Sequence, residues 1–158
     1  MVNLRPWQPG DRPLLDAFNT PEMTAHLVTT ESAEELEQRH LRYLKEDLPG
    51  RMLVIVDGSE PVGSIGYWEI HEGEKVAWET GWGVLPQHQG HGYAGLALHE
   101  LIGVVRADGR HDELHAYPSV DNAPSNALCR RAGFVLRGTT PFPFRGGVLL
   151  SNDWVLDL

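Results

Sequence analysis

A glycine-rich segment, residues 84–95, has residue types and spacing suited to anion binding. It reads Val-Leu-Pro-Gln-His-Gln-Gly-His-Gly-Tyr-Ala-Gly, with a strand-like pattern before it and an amphipathic helical pattern after it. The first N–H groups of a helix have no partner within the helix, and together with the helix dipole they attract phosphate. We therefore predict a phosphate-binding loop. The alternative is a glycine turn that only lets the helix approach the sheet.

The glycine spacing alone would also fit a dinucleotide-binding loop. Gly90-x-Gly92-x-x-Gly95 has the required intervals. Its position does not fit, because a three-strand meander is predicted before it. The acids about 20 residues further on, Asp112 and Glu113, come before a strand instead of ending one. No Gly-Lys-Ser/Thr follows, which excludes a P-loop. A nucleotide-dependent oxidoreductase is therefore the weakest of the functional hypotheses.

Several further motifs make the chain resemble one enzyme family. Gln89-x-x-Gly92-x-Ala94 is similar to the Gln/Arg-x-x-Gly-x-Gly/Ala signature of the GNAT superfamily of N-acetyltransferases. Asn122-x-x-Ser125 and the later Gly-Phe pair resemble the downstream helix and turn of that family. Similarity to the branch that acetylates ribosomal-protein N-termini rests on Leu4-Arg5-Pro6, Thr20-Pro21-Glu22 and Gly81-Trp82.

The resemblance implies an acetyl-CoA-dependent enzyme in a single domain, residues 1–158, with an α/β GNAT-like fold. The acetyl group would move directly from the thioester to a primary amine. The loop would hold the cofactor's pyrophosphate, and the strand before it would offer main-chain groups to the pantetheine arm. The implied cofactor-binding residues are Trp82, Val84, Gln89, Gly90, His91, Gly92, Tyr93, Ala94, Gly95 and Asn122.

Glu79 is the predicted general base. It lies on the strand that leads into the loop, two residues before Gly81-Trp82, where the family often has a carboxylate. It would take the ammonium proton of the acceptor directly or through a water, and burial would raise its pKa into the useful range. The alternative is a strand glutamate that faces solvent.

The general acid that protonates the leaving thiolate is not settled by the sequence. Many family members have a tyrosine seven residues after the asparagine, and here that position is Cys129. Ser125 is preferred over Cys129, because a lone cysteine on an apolar helix face is usually buried core. Tyr117 in the preceding predicted strand remains open as a third candidate.

Acidic residues outnumber basic residues in this chain. The chain of 158 residues has 22 acids, 13 Lys and Arg, and a formal net charge of −9, which disfavours nucleic acid as a partner. The acids near the expected acceptor groove favour a cationic amine, such as a peptide N-terminus, an aminoglycoside, a polyamine or an amino-acid derivative. These acids are Glu22, Glu69, Glu72, Glu74 and Glu79. The alternative is that they are solvated charges in turns. A non-catalytic acyl-CoA-binding module is the alternative function, because the expected tyrosine is missing.

Metal binding is not expected. The single cysteine excludes a multi-cysteine zinc site and an internal disulfide. His99-Glu100 is not followed by histidine at the zincin spacing, since Gly103 occupies that position. His111 and His115 flank the start of a predicted strand without an evident third ligand.

The elements that must position these residues follow from hydrophobic periodicity and turn signals. Helices are predicted near 11–18, 23–27, 94–108 and 122–132, and another opens at the capping box Ser32-x-x-Glu35. The predicted order is β-α-α-βββ-α-β-α-β-β, a mixed and mostly antiparallel sheet flanked by helices. Strands are expected at 2–7, 52–56, 62–70, 76–84, 114–120, 134–138 and 148–156.

The sequence also bears on location and assembly. No signal-peptide pattern and no apolar run of bilayer length are present, so we expect a cytoplasmic protein that is not in a membrane. The oligomeric state is left open, with a homodimer through the last strands as one option.

Overall fold

Seven strands form one sheet in the order β1-β2-β3-β4-β5-β7-β6. The structure, a computed structural model, describes residues 1–25, 30–144 and 146–158. The strands are β1 Val2–Pro6, β2 Gly50–Asp57, β3 Glu60–Glu72, β4 Lys75–Val84, β5 Glu113–Ala116, β6 Val135–Phe144 and β7 Gly147–Asp157. The helices are α1 Arg12–Phe18, α2 Ala33–Tyr43, α3 Tyr93–Asp108 and α4 Ala123–Arg131. The predicted order of elements is confirmed.

The sheet is antiparallel except at one pair of strands. β1 to β4 form an antiparallel meander, and β5, β7 and β6 continue the sheet by antiparallel pairing. Only β4 and β5 are parallel, because α3 crosses over between them. The predicted mixed, mostly antiparallel sheet is therefore confirmed.

Helices cover both faces of the sheet. On one face, Trp78 and Leu114 pack with the α3 residues Leu98 and Leu101 in the larger core cluster. On the other face, α1 and α2 cover Val54 and its neighbours in a second cluster. Since side chains alternate between the two faces of a sheet along a strand, the Glu79 side chain lies on the other face of the sheet from that of Trp78. Glu79 is therefore on the same face of the sheet as α1 and α2.

Local signals set most helix ends as predicted. Ser32 accepts a hydrogen bond from the Glu35 N–H while the Glu35 carboxylate accepts one from the Ser32 N–H, which is the expected capping box. Gly109 ends α3 with a positive φ of 70°. Of the short helix predicted at 23–27, residues 23–25 lie in hydrogen-bonded turns, and His26 and Leu27 are outside the described residues. Among the described residues, no helix is both long and apolar enough to cross a bilayer.

Two strand predictions need correction. β5 ends at Ala116 and not at residue 120, because the strands diverge there and Pro118 has no N–H to donate to a ladder. β6 runs to Phe144, well past the predicted end at Gly138. Its Pro141 and Pro143 suggested a loop, but β6 is an edge strand, where prolines are tolerated.

Candidate active site

The glycine-rich loop joins β4 to the N-terminus of α3. A short 3₁₀ turn at Pro86–His88 leads into Gly90 and Gly92, whose φ angles are 82° and 77°. Left-handed backbone of this kind explains glycine at both positions. Gly92 is the N-cap of α3, and no side chain caps the helix. The Leu96 N–H bonds to the Gly92 carbonyl, so the three N–H groups before it are free for an anion.

Side chains brace this loop from two sides. The Gln89 Nε2 group donates to the Val84 carbonyl oxygen at 3.0 Å, which ties the loop to the end of β4. The Tyr93 hydroxyl donates to an Asp57 carboxylate oxygen at 2.6 Å, and this bond lowers the pKa of Asp57. The His91 ring stacks on Tyr93 with centroids 5.5 Å apart. Gln89 and Tyr93 thus hold the loop, while Ala94 and Gly95 form the first turn of the helix.

β4 and β5 separate next to the loop. Their pairing covers only Trp78 to Thr80 with Leu114 to Ala116, although β4 continues to Val84 on its β3 side. Among the described residues, the backbone of 81–84, which includes Trp82, therefore has no strand partner on the β5 side. A strand edge of this kind can pair with an extended ligand that carries amide groups.

A cavity of about 300 Å³ opens where the strands separate. Glu79, Trp82, Asn122 and Ser125 line it, which brings residues from two sequence regions together. The Asn122 side chain accepts a hydrogen bond from the Ser125 N–H at 3.3 Å, so it caps α4 while it lines the cavity.

Glu79 has the protonation properties of a base in this cavity. Burial raises the pKa of Glu79 to about 7. A hydrogen bond with Trp68 and the charge of His115 act in the opposite direction, and the charge of Asp153 adds to the increase. A carboxylate with this pKa exchanges protons readily near neutral pH.

The three candidates for the general acid differ in position. Cys129 is fully buried in the larger core cluster, and burial raises the pKa of its thiol to about 12. Tyr117 lines the cavity, but its hydroxyl donates to Glu72 and its pKa is raised, chiefly by burial. Ser125 lines the cavity, and the described residues offer its hydroxyl no hydrogen-bond partner. Cys129 therefore lies outside the cavity, in the core, and Ser125 lies in the cavity lining.

An ion-pair network behind Glu79 was missed by the sequence analysis. The His115 ring is fully buried, with Nδ1 2.8 Å from Asp153 and 3.3 Å from Glu72, and with Nε2 3.2 Å from Glu113. His115 is the register partner of Glu79 on the adjacent strand. Asp153 and Glu72 are far from His115 in sequence, so no local pattern indicated the network.

The same network bears on metal binding. One ligand atom from each of Glu72, His115 and Asp153 lies within 4.8 Å of the others. Arg137 contacts both Glu72 and Glu113 at 3.3 Å, so protein cations already neutralise these carboxylates. The absence of a bound metal stays a prediction.

The acids expected near the acceptor are not gathered at the cavity. Of the five, Glu79 alone lines it. Glu69 is 2.8 Å from a His111 ring nitrogen, and Glu72 belongs to the network around His115. Glu22 and Glu74 are exposed in turns. The predicted preference for a cationic amine therefore receives no support from their placement.

Trp68 is the other residue that the sequence analysis did not find. It pairs with Glu79 across β3 and β4, and its ring lies over Gly81, where an added Cβ would come within 3.0 Å of it. The signal was present in the sequence. The turn after Glu72 pairs it with Lys75, and counting back along both strands pairs Trp68 with Glu79.

Comparison with known proteins supports one family. Residues 2–135 match the family model described as acetyltransferase (GNAT) domain. Comparison of the sequence with curated proteins finds no match.

Solved structures share the fold over almost the whole chain. A Salmonella typhimurium acetyltransferase that modifies the N-terminal serine of ribosomal protein L7/L12 is 21% identical, with a TM-score of 0.81 and coverage of 99% of this chain and 95% of that one. Spermidine N-acetyltransferase from Vibrio cholerae, in complex with CoA and spermine, is 20% identical with the same TM-score and coverage. Aminoglycoside acetyltransferase AAC(6')-Ib, in complex with coenzyme A, is 15% identical, again with a TM-score of 0.81 and coverage of 99% and 95%.

Proposed function

The chain belongs to the GNAT acetyltransferase family, and we propose that it transfers the acetyl group of acetyl-CoA directly to a primary amine. The acceptor would be a peptide N-terminus or a small amine, and residues 1–158 would act as one domain. The observation that carries this proposal is the cavity between β4 and β5. It places the Glu79 carboxyl beside an unpaired strand edge that leads to an uncapped helix N-terminus.

Cofactor binding follows from the two open sets of main-chain groups. The free N–H groups at the start of α3 would hold the pyrophosphate, with Gly90 and Gly92 keeping the backbone in the required shape. The unpaired edge that includes Trp82 would pair with the amides of the pantetheine arm. The acetyl group would then reach the cavity lined by Glu79 and Ser125.

Each residue then has a defined role in the transfer. Glu79 takes a proton from the acceptor ammonium, and the neutral amine forms a C–N bond to the acetyl carbon as the C–S bond breaks. The nitrogen of the new amide still carries one excess proton. A water held by the Ser125 hydroxyl takes this proton and gives one of its own to the leaving thiolate, so the water is restored. The products are the acetylated amine and CoA, and Glu79 releases its proton to solvent before the next cycle.

Thiol release from acetyl-CoA tests this function. The assay should use peptide amides with different N-terminal residues, together with aminoglycosides and polyamines. We expect CoA release that depends on the amine, with mass spectrometry showing one added acetyl group. Tight acetyl-CoA binding without release for any amine would instead favour the non-catalytic module.

We also propose that the protein forms a homodimer through its last two strands. β6 is an edge strand, and the β6–β7 hairpin exposes Val135, Leu136, Val148 and Leu150 with exposed fractions between 46% and 69%. An exposed apolar edge favours pairing with a second copy. Light scattering should give twice the monomer mass, and Val148→Glu should weaken dimerisation at least tenfold. A wild-type protein that is still monomeric at about 0.1 mM would contradict this proposal.

A further inference from the structure

A second cavity, of about 360 Å³, lies where α2 ends and β2 begins. Cationic and aromatic side chains share its lining. The last turn of α2 and the residues after it contribute Arg42, Tyr43 and Lys45, and the strands contribute Arg51, Tyr67 and Trp68. Apart from Trp68, none of its lining residues lines the cavity at Glu79.

The cations of this cavity form no salt bridge among the described residues, and Arg42 lies over the Tyr43 ring, 5.7 Å from its centroid. Elsewhere most Lys and Arg side chains form salt bridges, as Arg5 does with Asp11 and Arg39 with Glu31. In the described part of the chain, no carboxylate pairs with Arg42, Lys45 or Arg51. Three cations without a salt bridge therefore surround one cavity of a protein whose net charge is −9, and they give that cavity a positive local potential.

The cavity adjoins the proposed active site through one residue. Trp68 lines both cavities, and in the sheet it pairs with Gly50 on one side and Glu79 on the other. Neighbouring strands are about 4.8 Å apart, so two strand spacings, about 10 Å, separate Glu79 from Gly50 at the cavity wall. A single acceptor molecule can therefore reach both places.

We propose that this cavity, defined by Arg42, Lys45 and Trp68, is an anion subsite that binds a carboxylate of the amine acceptor. Arg42 and Lys45 would pair with the carboxylate, and the aromatic side chains would cover the aliphatic part of the acceptor. The proposal rests on the proposed function, because the acceptor amine is placed at Glu79.

The separation between Glu79 and the near wall of the cavity sets a lower limit on the distance between the acceptor's amine and its carboxylate. An extended chain advances about 3.4 Å per residue, so 10 Å corresponds to about three residues. In a peptide acceptor, an aspartate near the third position would reach the subsite. In a small acceptor, the carboxylate would be the one at the end of a di- or tripeptide.

The test compares peptides that differ only in one charge. C-terminally amidated peptides carry a single Asp at position 2, 3 or 4, and each has a twin with Asn at that position. A fourth pair, a free tripeptide and its amide, tests a terminal carboxylate. With saturating acetyl-CoA, we expect kcat/KM about tenfold higher for the charged member of at least one pair, through KM, and a smaller ratio at high salt.

Substitutions then locate the effect. In Arg42→Gln/Lys45→Gln, the charge preference should fall to within about twofold, while kcat and acetyl-CoA affinity stay unchanged. Arg106→Gln is the matched control, because Arg106 is an exposed cation on α3 with no salt bridge among the described residues. Thermal unfolding of each variant checks that the fold is intact.

The outcomes separate this proposal from the proposed function. Equal kcat/KM within every pair, or a preference that survives in the double variant, would overturn the subsite. If no amine is acetylated, the proposed function fails, and calorimetric binding of the same peptides to the CoA-bound enzyme still tests the subsite. No charge preference in that binding measurement would overturn it as well.

Discussion

Replacing Glu79 with glutamine is expected to lower kcat by about 10²–10⁴ at pH 7, because the acceptor ammonium then loses its proton acceptor. Glutamine keeps the size of the side chain but has no useful basicity. Acetyl-CoA affinity should stay within about twofold, since the contacts proposed for the pyrophosphate and the pantetheine arm are at the start of α3 and at residues 81–84 and do not include the Glu79 side chain. Stopped-flow or steady-state thiol release gives kcat, and calorimetry gives the affinity.

The pH dependence provides an independent readout of the same residue. With a pKa of about 7, Glu79 is half ionised near neutral pH, so kcat/KM of the wild type should rise with pH through an acid limb near 7. The residual activity of Glu79→Gln should lack this limb. A limb that persists unchanged in the variant would assign it to another group.

Protein stability should show the opposite trend with pH. The folded-state pKa of Glu79 is raised above its ordinary 4.5, so between about pH 4.5 and 7 the native state holds a proton that the unfolded state has lost. The free energy of unfolding therefore falls as pH rises through this window. Relative to Glu79→Gln, the wild type should lose of the order of 3 kcal/mol across it.

Glu74→Gln is the matched control for both measurements. Glu74 is an exposed carboxylate in the turn before β4, remote from the cavity. Its replacement should leave kcat, the acid limb and the pH dependence of stability unchanged. Normal turnover in Glu79→Gln with any accepted amine would remove Glu79 from the mechanism.

The second large effect is expected from a charge placed at the helix N-terminus. Gly92→Asp should weaken acetyl-CoA binding by two orders of magnitude or more. A negative charge about 5 Å from a phosphate costs about 3 kcal/mol at an effective dielectric constant of 20. A Cβ at this position meets nothing within 4 Å, so the side chain has room.

Gly92→Asn separates the charge from the shape of the backbone. Gly92 has a φ of 77°, a region that Asn and Asp adopt more readily than other side chains do. We expect Asn to weaken binding by no more than about tenfold, and the gap between the two variants to narrow at high salt. Equal losses in both variants, independent of salt, would contradict phosphate binding at this loop.

Much of the fold could be predicted because its signals are local. The capping box at Ser32, the glycine after α3 and the two hairpin turns lie within a few residues of the elements they end or join. The length of β6 could not be predicted, because prolines normally indicate that a strand has ended. They are compatible with a strand only at the edge of a sheet, and the sequence alone does not show that β6 is at an edge. The end of β5 depends on its separation from β4, which is a property of the whole sheet.

The active-site loop was determined by the sequence itself. Glycines just before a helix allow a left-handed backbone, and the first N–H groups of the helix have no partner within it. Both effects arise within about six residues. The order of elements, and the position of Glu79 on the strand that leads into the loop, follow from the same short-range patterns. These features therefore did not depend on packing between distant segments.

Tertiary structure alone decided which candidate side chains meet. Cys129 and Ser125 are four residues apart on one face of α4, yet Ser125 in the first turn lines the cavity while Cys129, one turn further along, is buried in the core. Burial also sets the pKa of Glu79, through neighbours on strands far away in sequence. Burial and charge depend on which segments pack together, so they are fixed only when the sheet and its helices assemble.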